Sequence, residues 1–142
     1  MRILVAVDGS TIAERAAAHA VALTQGRAGA EMVLLNVQNQ ETLDTSDISG
    51  ITSVAADTER AGGRSKQALG GAIALCRNAG ATFTVRTAFG PIADTIVAVA
   101  REVGADQIVM GTRGFSPLRG AVLGSISAKV VQLARVPVTL VK

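Results

Sequence analysis

Glycines and serines near the C-terminal end of the sequence have a spacing that suits phosphate binding. The segment reads Gly111-Thr-Arg-Gly114, then nine residues, then Gly124-Ser125-Ile126-Ser127. Glycine lets the backbone approach an anion closely, and serine hydroxyls can donate hydrogen bonds to phosphate oxygens. The loop lies between an apolar run and a helical pattern that starts near Ile126, where unpaired N–H groups and the helix dipole favour an anion. The segment therefore predicts a phosphate-binding loop.

A carboxylate stands at the end of the first apolar run. Asp8 follows Ile3-Leu-Val-Ala-Val7 and precedes Gly9-Ser10. A carboxylate at the end of a buried strand is costly unless it has partners. Asp8 could accept a ribose hydroxyl or hold a divalent metal ion through water, and the alternative is a turn or helix-capping carboxylate. Gly9 either admits a ligand or serves the turn alone.

Several other kinds of site are excluded by what the sequence lacks. It contains no Gly-x4-Gly-Lys-Ser/Thr segment, so it is not a P-loop NTPase. The single histidine, His19, and the single cysteine, Cys76, exclude a metal cluster built from such residues. We expect His19 on a helix surface and Cys76 as a small buried residue rather than a reactive thiol. No general base is evident beside the predicted phosphate loop, so we assign no catalytic residue.

Composition indicates one α/β domain rather than a nucleic-acid or membrane protein. The 142 residues are 49% hydrophobic but only 2% aromatic, and the net charge of +3 comes from scattered basic residues. Base stacking needs exposed aromatic side chains, and backbone binding needs clustered lysines or arginines. No apolar run reaches the ~18 residues of a membrane span. The first residues are too short and too soon interrupted for a signal peptide, so we expect a cytoplasmic location.

Five apolar runs alternate with segments of helical pattern. The predicted strands are residues 2–7, 31–37, 82–88, 106–110 and 136–141, and the predicted helices are about 11–25, 55–79, 91–103 and 125–135. This alternation predicts right-handed crossovers and a single-domain, doubly wound parallel sheet of five strands with about four helices. Ser10 or Thr11 is expected to cap the first helix, Gly26 to end it, and residues 38–54 to form a surface loop.

The pattern Gly-x2-Gly-x9-Gly-Ser resembles the nucleotide-binding signature of the universal stress protein family. The resemblance covers residues 1–142, with Ile3–Ser10, Val33–Val37, Gly104–Gly111 and Val136–Val141 similar to four of the family's strands. It implies the strand order 3-2-1-4-5. In such a sheet the order reverses between strands 1 and 4, and ligands bind beyond the strand ends at that point. Asp8-Gly-Ser10 and Met110-Gly111 are expected to meet there.

The resemblance also implies the contacts of a bound adenine nucleotide. Ala6 and Val37 would flank the base with Met110 beside it, and the phosphates would lie on the glycine loop and the start of the next helix. Position 6 is alanine where several nucleotide-binding members have proline, and a small residue still leaves room for a base. The complete expected site is Ala6, Val7, Asp8, Val37, Met110, Gly111, Arg113, Gly114, Gly124, Ser125, Ile126 and Ser127. Arg113 and Arg119 either reach phosphates or are solvated, and Lys129 is expected to face solvent.

These implications lead to an ATP-binding, stress-response regulatory protein as the expected function. AMP or ADP could replace ATP, and Mg²⁺ or Mn²⁺ would accompany the nucleotide. A slow ATPase or phosphotransferase, with weak hydrolysis or autophosphorylation, is one alternative, and a protein-interaction member without nucleotide is another. The expected partners are an unidentified regulatory protein and a second copy of the chain. That copy would pair through the apolar residues 136–141, because an uncovered edge strand favours pairing and this strand pairs with its counterpart in the family.

Overall fold

Strands and helices alternate along the part of the chain that the computed structural model describes, which is residues 1–39, 54–113 and 123–142. The strands are β1 Arg2–Ala6, β2 Glu31–Gln38, β3 Phe83–Phe89, β4 Gln107–Gly111 and β5 Val138–Val141. The helices are α1 Thr11–Thr24, α2 Val54–Asn78, α3 Ile92–Glu102 and α4 Ser125–Leu133. The alternation predicted from the apolar runs is therefore confirmed. Most of the predicted surface loop, residues 40–53, lies outside the described residues.

The five strands form one parallel sheet in the order β3-β2-β1-β4-β5, as predicted. The central strand β1 pairs with β2, with Ala6 opposite Leu35, and with β4, with Val5 opposite Val109. The chain leaves β1 toward one edge of the sheet and later resumes at β4 toward the other edge. The strand order therefore reverses between β1 and β4, and the loops that follow these two strands diverge there.

Two apolar layers cover the sheet, one on each face. Ile3 and Val5 of β1, with Val7 just after the strand, pack with α1 and α2, whereas Leu4 and Ala6 pack with α3 and α4. Because both faces are covered, the central strands are apolar at nearly every position. This explains why the first and fourth predicted strands hardly alternate between apolar and polar residues in the sequence.

The ends of the elements follow local chemistry. The Ser10 hydroxyl accepts a hydrogen bond from the Ala13 N–H at 3.1 Å and so caps α1. Gly26, with φ of 74°, lies just beyond the end of α1, where glycine adopts the left-handed conformation without strain. The last strand begins at Val138 rather than at the predicted residue 136. Pro137 has no N–H to donate, although its carbonyl accepts from Ile108 N–H at 2.9 Å.

The single cysteine and the single histidine lie where the sequence predicted them. Cys76 is fully buried in the layer formed by α1 and α2, and this burial raises the pKa of its thiol. His19 is exposed on α1. Among the helices of the described ranges, none combines the length and hydropathy needed to cross a bilayer.

Candidate functional site

The carboxyl ends of β1 and β4 meet at a narrow crevice. It is lined by Ala6, Asp8, Ser10, Ala13, Met110, Gly111, Arg113 and Ser127. One wall belongs to the turn after β1, and the other belongs to the loop after β4 and the first turn of α4. The structure therefore brings together the two segments that the sequence singled out for separate reasons, a terminal carboxylate and a glycine-rich loop.

Asp8 uses one of its two carboxylate oxygens to hold the turn after β1. Its Oδ1 accepts hydrogen bonds from the Ser10 N–H at 2.9 Å and from the Ser10 hydroxyl at 2.6 Å. Within the described part of the chain, no donor contacts Oδ2 of this half-buried residue. Asp8 thus has the turn role considered from the sequence, and one oxygen remains for a ligand. Gly9, with φ of 87°, serves the turn itself.

The first turn of α4 borders the crevice through Ser127 and carries backbone donors. Its N-cap residue is Gly124, which has no side chain to cap the helix. The first helical N–H groups are those of Ser125, Ile126 and Ser127, and none of the described residues accepts from them. By contrast, Ser10 caps α1 with its side chain. The start of α4 therefore combines free donors with the positive end of a helix dipole.

Ser127 ties α4 to the loop after β4. Its hydroxyl lies 2.9 Å from the Gly111 carbonyl and 3.2 Å from the Thr112 carbonyl, and the residue is only 2% exposed. The Thr112 carbonyl also accepts from the Gly124 N–H at 2.8 Å. The Ser127 hydroxyl therefore positions the loop, and its backbone N–H is the group left for an anion. Ser125 is exposed.

Three of the expected base contacts lie on one face of the sheet. Ala6, Val37 and Met110 belong to the apolar layer beneath α3 and α4, and Ile126 packs against the same layer. Val7 lies on the opposite face, with its N–H bonded to the Leu35 carbonyl at 2.8 Å. Of the three expected base contacts, Ala6 and Met110 line the crevice and give it an apolar side, next to Ser127 of α4 and Asp8, whereas Val37 belongs to the same layer without lining the crevice. Val7 contributes to the sheet and not to this apolar side.

Asn36 is a buried polar residue that the sequence reasoning missed. Its side-chain Nδ2 donates to the Val7 carbonyl at 2.7 Å, and its Oδ1 accepts from Gln38 Nε2 at 2.6 Å. At 1% exposed, Asn36 fixes the point where β1 ends and the Asp8 turn begins. The signal was present in the sequence, because a single asparagine interrupts the apolar run Val33-Leu-Leu-Asn36-Val37 and must find a partner when buried.

The remaining charged residues take different positions. Arg113 is exposed at the mouth of the crevice. Lys129 pairs with Asp94 of α3 at 3.0 Å, with both side chains about half exposed. Gly114 and Arg119 lie outside the described residues. In the described ranges no three carboxylate, histidine or cysteine side chains cluster to form a metal site, so Asp8 would act as a single ligand.

Comparisons with known proteins agree with this architecture. Residues 1–142 match the family model described as the universal stress protein family. The chain is 34% identical to the universal stress protein YxiE of Bacillus subtilis, covering 99% of this chain and 98% of that protein. It is similar to a universal stress protein solved in complex with cAMP, with 28% identity, a TM-score of 0.73 and coverage of 100% of this chain and 97% of the other. It also resembles the universal stress protein from Archaeoglobus fulgidus in complex with dAMP, with 28% identity, a TM-score of 0.70 and coverage of 100% and 98%.

Proposed function

Because this chain belongs to the universal stress protein family, we propose that it is a stress-response regulator that binds an adenine nucleotide between β1 and β4. The observation that carries the proposal is the uncapped first turn of α4 beside Asp8 in one crevice. Two structural neighbours were solved with cAMP and dAMP, which are both adenine nucleotides. The crevice of this chain offers the chemistry such a ligand needs, namely an apolar side, a carboxylate and a group of N–H donors.

In the proposed complex, each part of the nucleotide meets a matching group. The adenine packs on the apolar side formed by Ala6 and Met110, with Val37 in the apolar layer behind them. A ribose hydroxyl donates to the Asp8 oxygen that Ser10 leaves available. The phosphates accept from the N–H groups at the start of α4, where the helix dipole favours negative charge. Arg113 at the mouth adds a mobile positive charge.

ATP is the nucleotide we favour, with Mg²⁺ or Mn²⁺ bound to its phosphates. Asp8 fits a supporting role toward such an ion, because its Oδ2 could accept a hydrogen bond from a metal-bound water. Magnesium keeps several waters and commonly uses one or two carboxylates together with substrate phosphates. The ion would neutralise phosphate charge close to the Asp8 carboxylate, which otherwise opposes phosphate binding at short range.

We expect isothermal titration calorimetry to detect ATP binding in the presence of MgCl₂. Sites that combine a helix N-terminus with a small apolar pocket suggest a Kd of ~1–100 μM, equivalent to about 5.5–8 kcal/mol. GTP serves as the control for the base, because it has the same ribose and triphosphate as ATP and differs only in the base. Absence of heat with ATP and with AMP at millimolar concentration would contradict the proposal.

The variant Asp8→Asn tests the metal role separately from the turn. Asparagine retains a side-chain oxygen that can accept from Ser10, but it loses the charge that supports a hydrated metal ion. We expect ATP affinity to fall by about tenfold with Mg²⁺, or about 1.4 kcal/mol, and by much less in EDTA. Titrations of both proteins in both buffers give the comparison. Equal losses with and without the metal would remove the role assigned to Asp8.

We also propose that two copies pair through β5. The carbonyl of Pro137 accepts from Ile108 in β4, and that of Val141 accepts from Thr112 just after β4. The alternation of a parallel ladder therefore directs the N–H groups of Val138 and Leu140 away from the sheet. All four residues of β5 are only half-buried, although the strand is apolar at three of four positions. On the adjacent helix α4, Val131 and Leu133 are 47% and 38% exposed. An antiparallel partner strand related by two-fold symmetry would satisfy the donors and cover this apolar surface.

A further inference from the structure

A second cavity lies at the amino ends of the strands, whereas the nucleotide crevice lies at their carboxyl ends. It has a volume of about 310 Å³ and is bounded by the C-terminal ends of α3 and α4 and by the start of β4. The lining residues are Val97, Ala100, Arg101, Gly104, Ala105, Ile108, Ala134, Arg135 and Val136. Small side chains leave the space open, and most of the wall is aliphatic. The volume is at the lower end of the roughly 300–1,000 Å³ typical of small-molecule sites.

Three backbone carbonyls at the end of α3 beside this cavity already accept hydrogen bonds. Gly104, with φ of 64°, ends α3 by donating to the Arg101 carbonyl at 3.2 Å, and the Ala105 N–H donates to the Ala100 carbonyl at 2.8 Å. The Arg2 guanidinium donates to the Val103 carbonyl. Since these carbonyls are satisfied, a ligand gains little from presenting hydrogen-bond donors here. The charged groups beside the cavity are the guanidinium donors of Arg101 and Arg135.

The charge at the cavity is positive. Arg101 and Arg135 are exposed, and neither forms an ion pair with any described residue. The carboxylates of the surrounding elements have other partners. Glu31 pairs with Arg2, Glu102 pairs with Arg86 at 2.6 Å, and Asp106 accepts from the Arg2 backbone N–H at 2.8 Å. Two guanidinium groups without an ion-pair partner among the described residues therefore stand beside an apolar cavity.

We propose that this cavity binds a medium-chain alkyl carboxylate, with the hydrocarbon chain inside and the carboxylate on Arg101 and Arg135. The aliphatic wall matches an alkyl chain, and guanidinium groups form the strongest side-chain hydrogen bonds to carboxylates. The cavity is too small for a long lipid, and it contains no aromatic side chain for stacking a ring. A free fatty acid or an acidic alkyl metabolite has this chemistry. The site is distinct from the proposed nucleotide crevice, from which it is separated by the length of the strands.

Calorimetric titration of the full chain with octanoate tests this inference, with 1-octanol and butyrate as comparison ligands. Octanoate should bind more tightly than octanol, which lacks the charge, and more tightly than butyrate, which lacks most of the chain. The double variant Arg101→Gln/Arg135→Gln should weaken octanoate about tenfold while leaving octanol unchanged. The matched control Arg77→Gln, at an exposed arginine on α2, should behave like the unmodified protein. Octanoate that does not bind at millimolar concentration, or that binds the double variant equally well, overturns the proposal.

Variants that fill the cavity separate a ligand site from a protein contact. Ala100→Leu should abolish octanoate and octanol binding, and Ala134→Leu provides a second test at a less buried position if the first variant is poorly folded. Both should retain ATP binding, which shows that the fold persists. If filling instead changes the mass measured by light scattering and leaves octanoate affinity intact, the cavity belongs to a contact between chains. Sedimentation with anionic vesicles but no octanoate binding would assign the arginines to a membrane surface and also reject the site.

Discussion

Gly124→Val is expected to reduce ATP affinity by at least about a hundredfold, or about 3 kcal/mol. A Cβ atom at position 124 would lie 3.1 Å from the Thr112 carbonyl oxygen, which is fixed by its hydrogen bond from the Gly124 N–H. Because the neighbour is backbone rather than a flexible side chain, the loop after β4 must move away from α4. The two branches of valine would also occupy space in front of the first helical N–H groups. Calorimetry with ATP and Mg²⁺ measures the loss.

Two further variants show whether the effect belongs to the site. Gly124→Ala adds the Cβ alone and should give an intermediate loss. Gly70→Val makes the same chemical change on α2, where a Cβ would meet nothing within 4 Å, and should leave ATP affinity unchanged. Circular dichroism should show a folded Gly124→Val protein, since φ of −67° at this residue suits any amino acid. ATP binding by Gly124→Val at the unmodified affinity would refute the phosphate assignment to α4.

Leu140→Pro should convert a dimer into a monomer. Wild-type protein at tens of micromolar should have the mass of two chains in multi-angle light scattering. Proline at residue 140 removes an N–H that points away from β4, so it removes a hydrogen bond to the partner strand without breaking the ladder within the chain. Its ring also crowds an approaching strand. The pocket is built from other strands, so the monomer should still bind ATP.

The opposite edge of the sheet provides the matched control. Met32 N–H donates to the Thr82 carbonyl and Gly90 N–H donates to the Gln38 carbonyl, so the N–H of Val85 in β3 also points away from the sheet. Val85→Pro therefore makes an equivalent change at the other edge and should leave the dimer intact. Loss of the dimer in both variants would indicate general damage to the sheet. A wild-type protein that is monomeric would contradict pairing through β5 and leave the nucleotide site unaffected.

The architecture could be predicted from the sequence because each buried strand is an apolar run bounded by turn residues. The strand order could be stated only through the family resemblance, since hydropathy contains no information on which strands are neighbours. Local chemistry also decided the element ends, with Ser10 as the cap of α1 and Gly26 beyond its end. The start of β5 was predicted two residues too early. Val136 continues the apolar run, but Pro137 delays the regular ladder.

The details of the site were less predictable, because they depend on the face of an element and on its hydrogen-bond partners. Val7 and Asn36 point to the same face of the sheet, away from the apolar side of the crevice. A shift of one residue along either strand would place these side chains on the other face. The Ser127 hydroxyl was expected on phosphate through the family resemblance, but in this structure it is bonded to loop carbonyls. Lys129 pairs with Asp94 across two helices, which a linear sequence does not reveal.

The position of β1 at the centre of the sheet links folding to ligand occupancy. The Arg2 N–H and the Asp106 carboxylate, 104 residues apart in the sequence, join two sequence-distant segments at the seam between β1 and β4. Contacts this far apart require a large loop to close, which slows folding. A nucleotide in the proposed crevice would bridge this seam. At a concentration of 100 times its Kd, it would add about 2.7 kcal/mol to the free energy of unfolding. The lifetime of the protein in a cell would then follow the nucleotide supply, without any change in its synthesis.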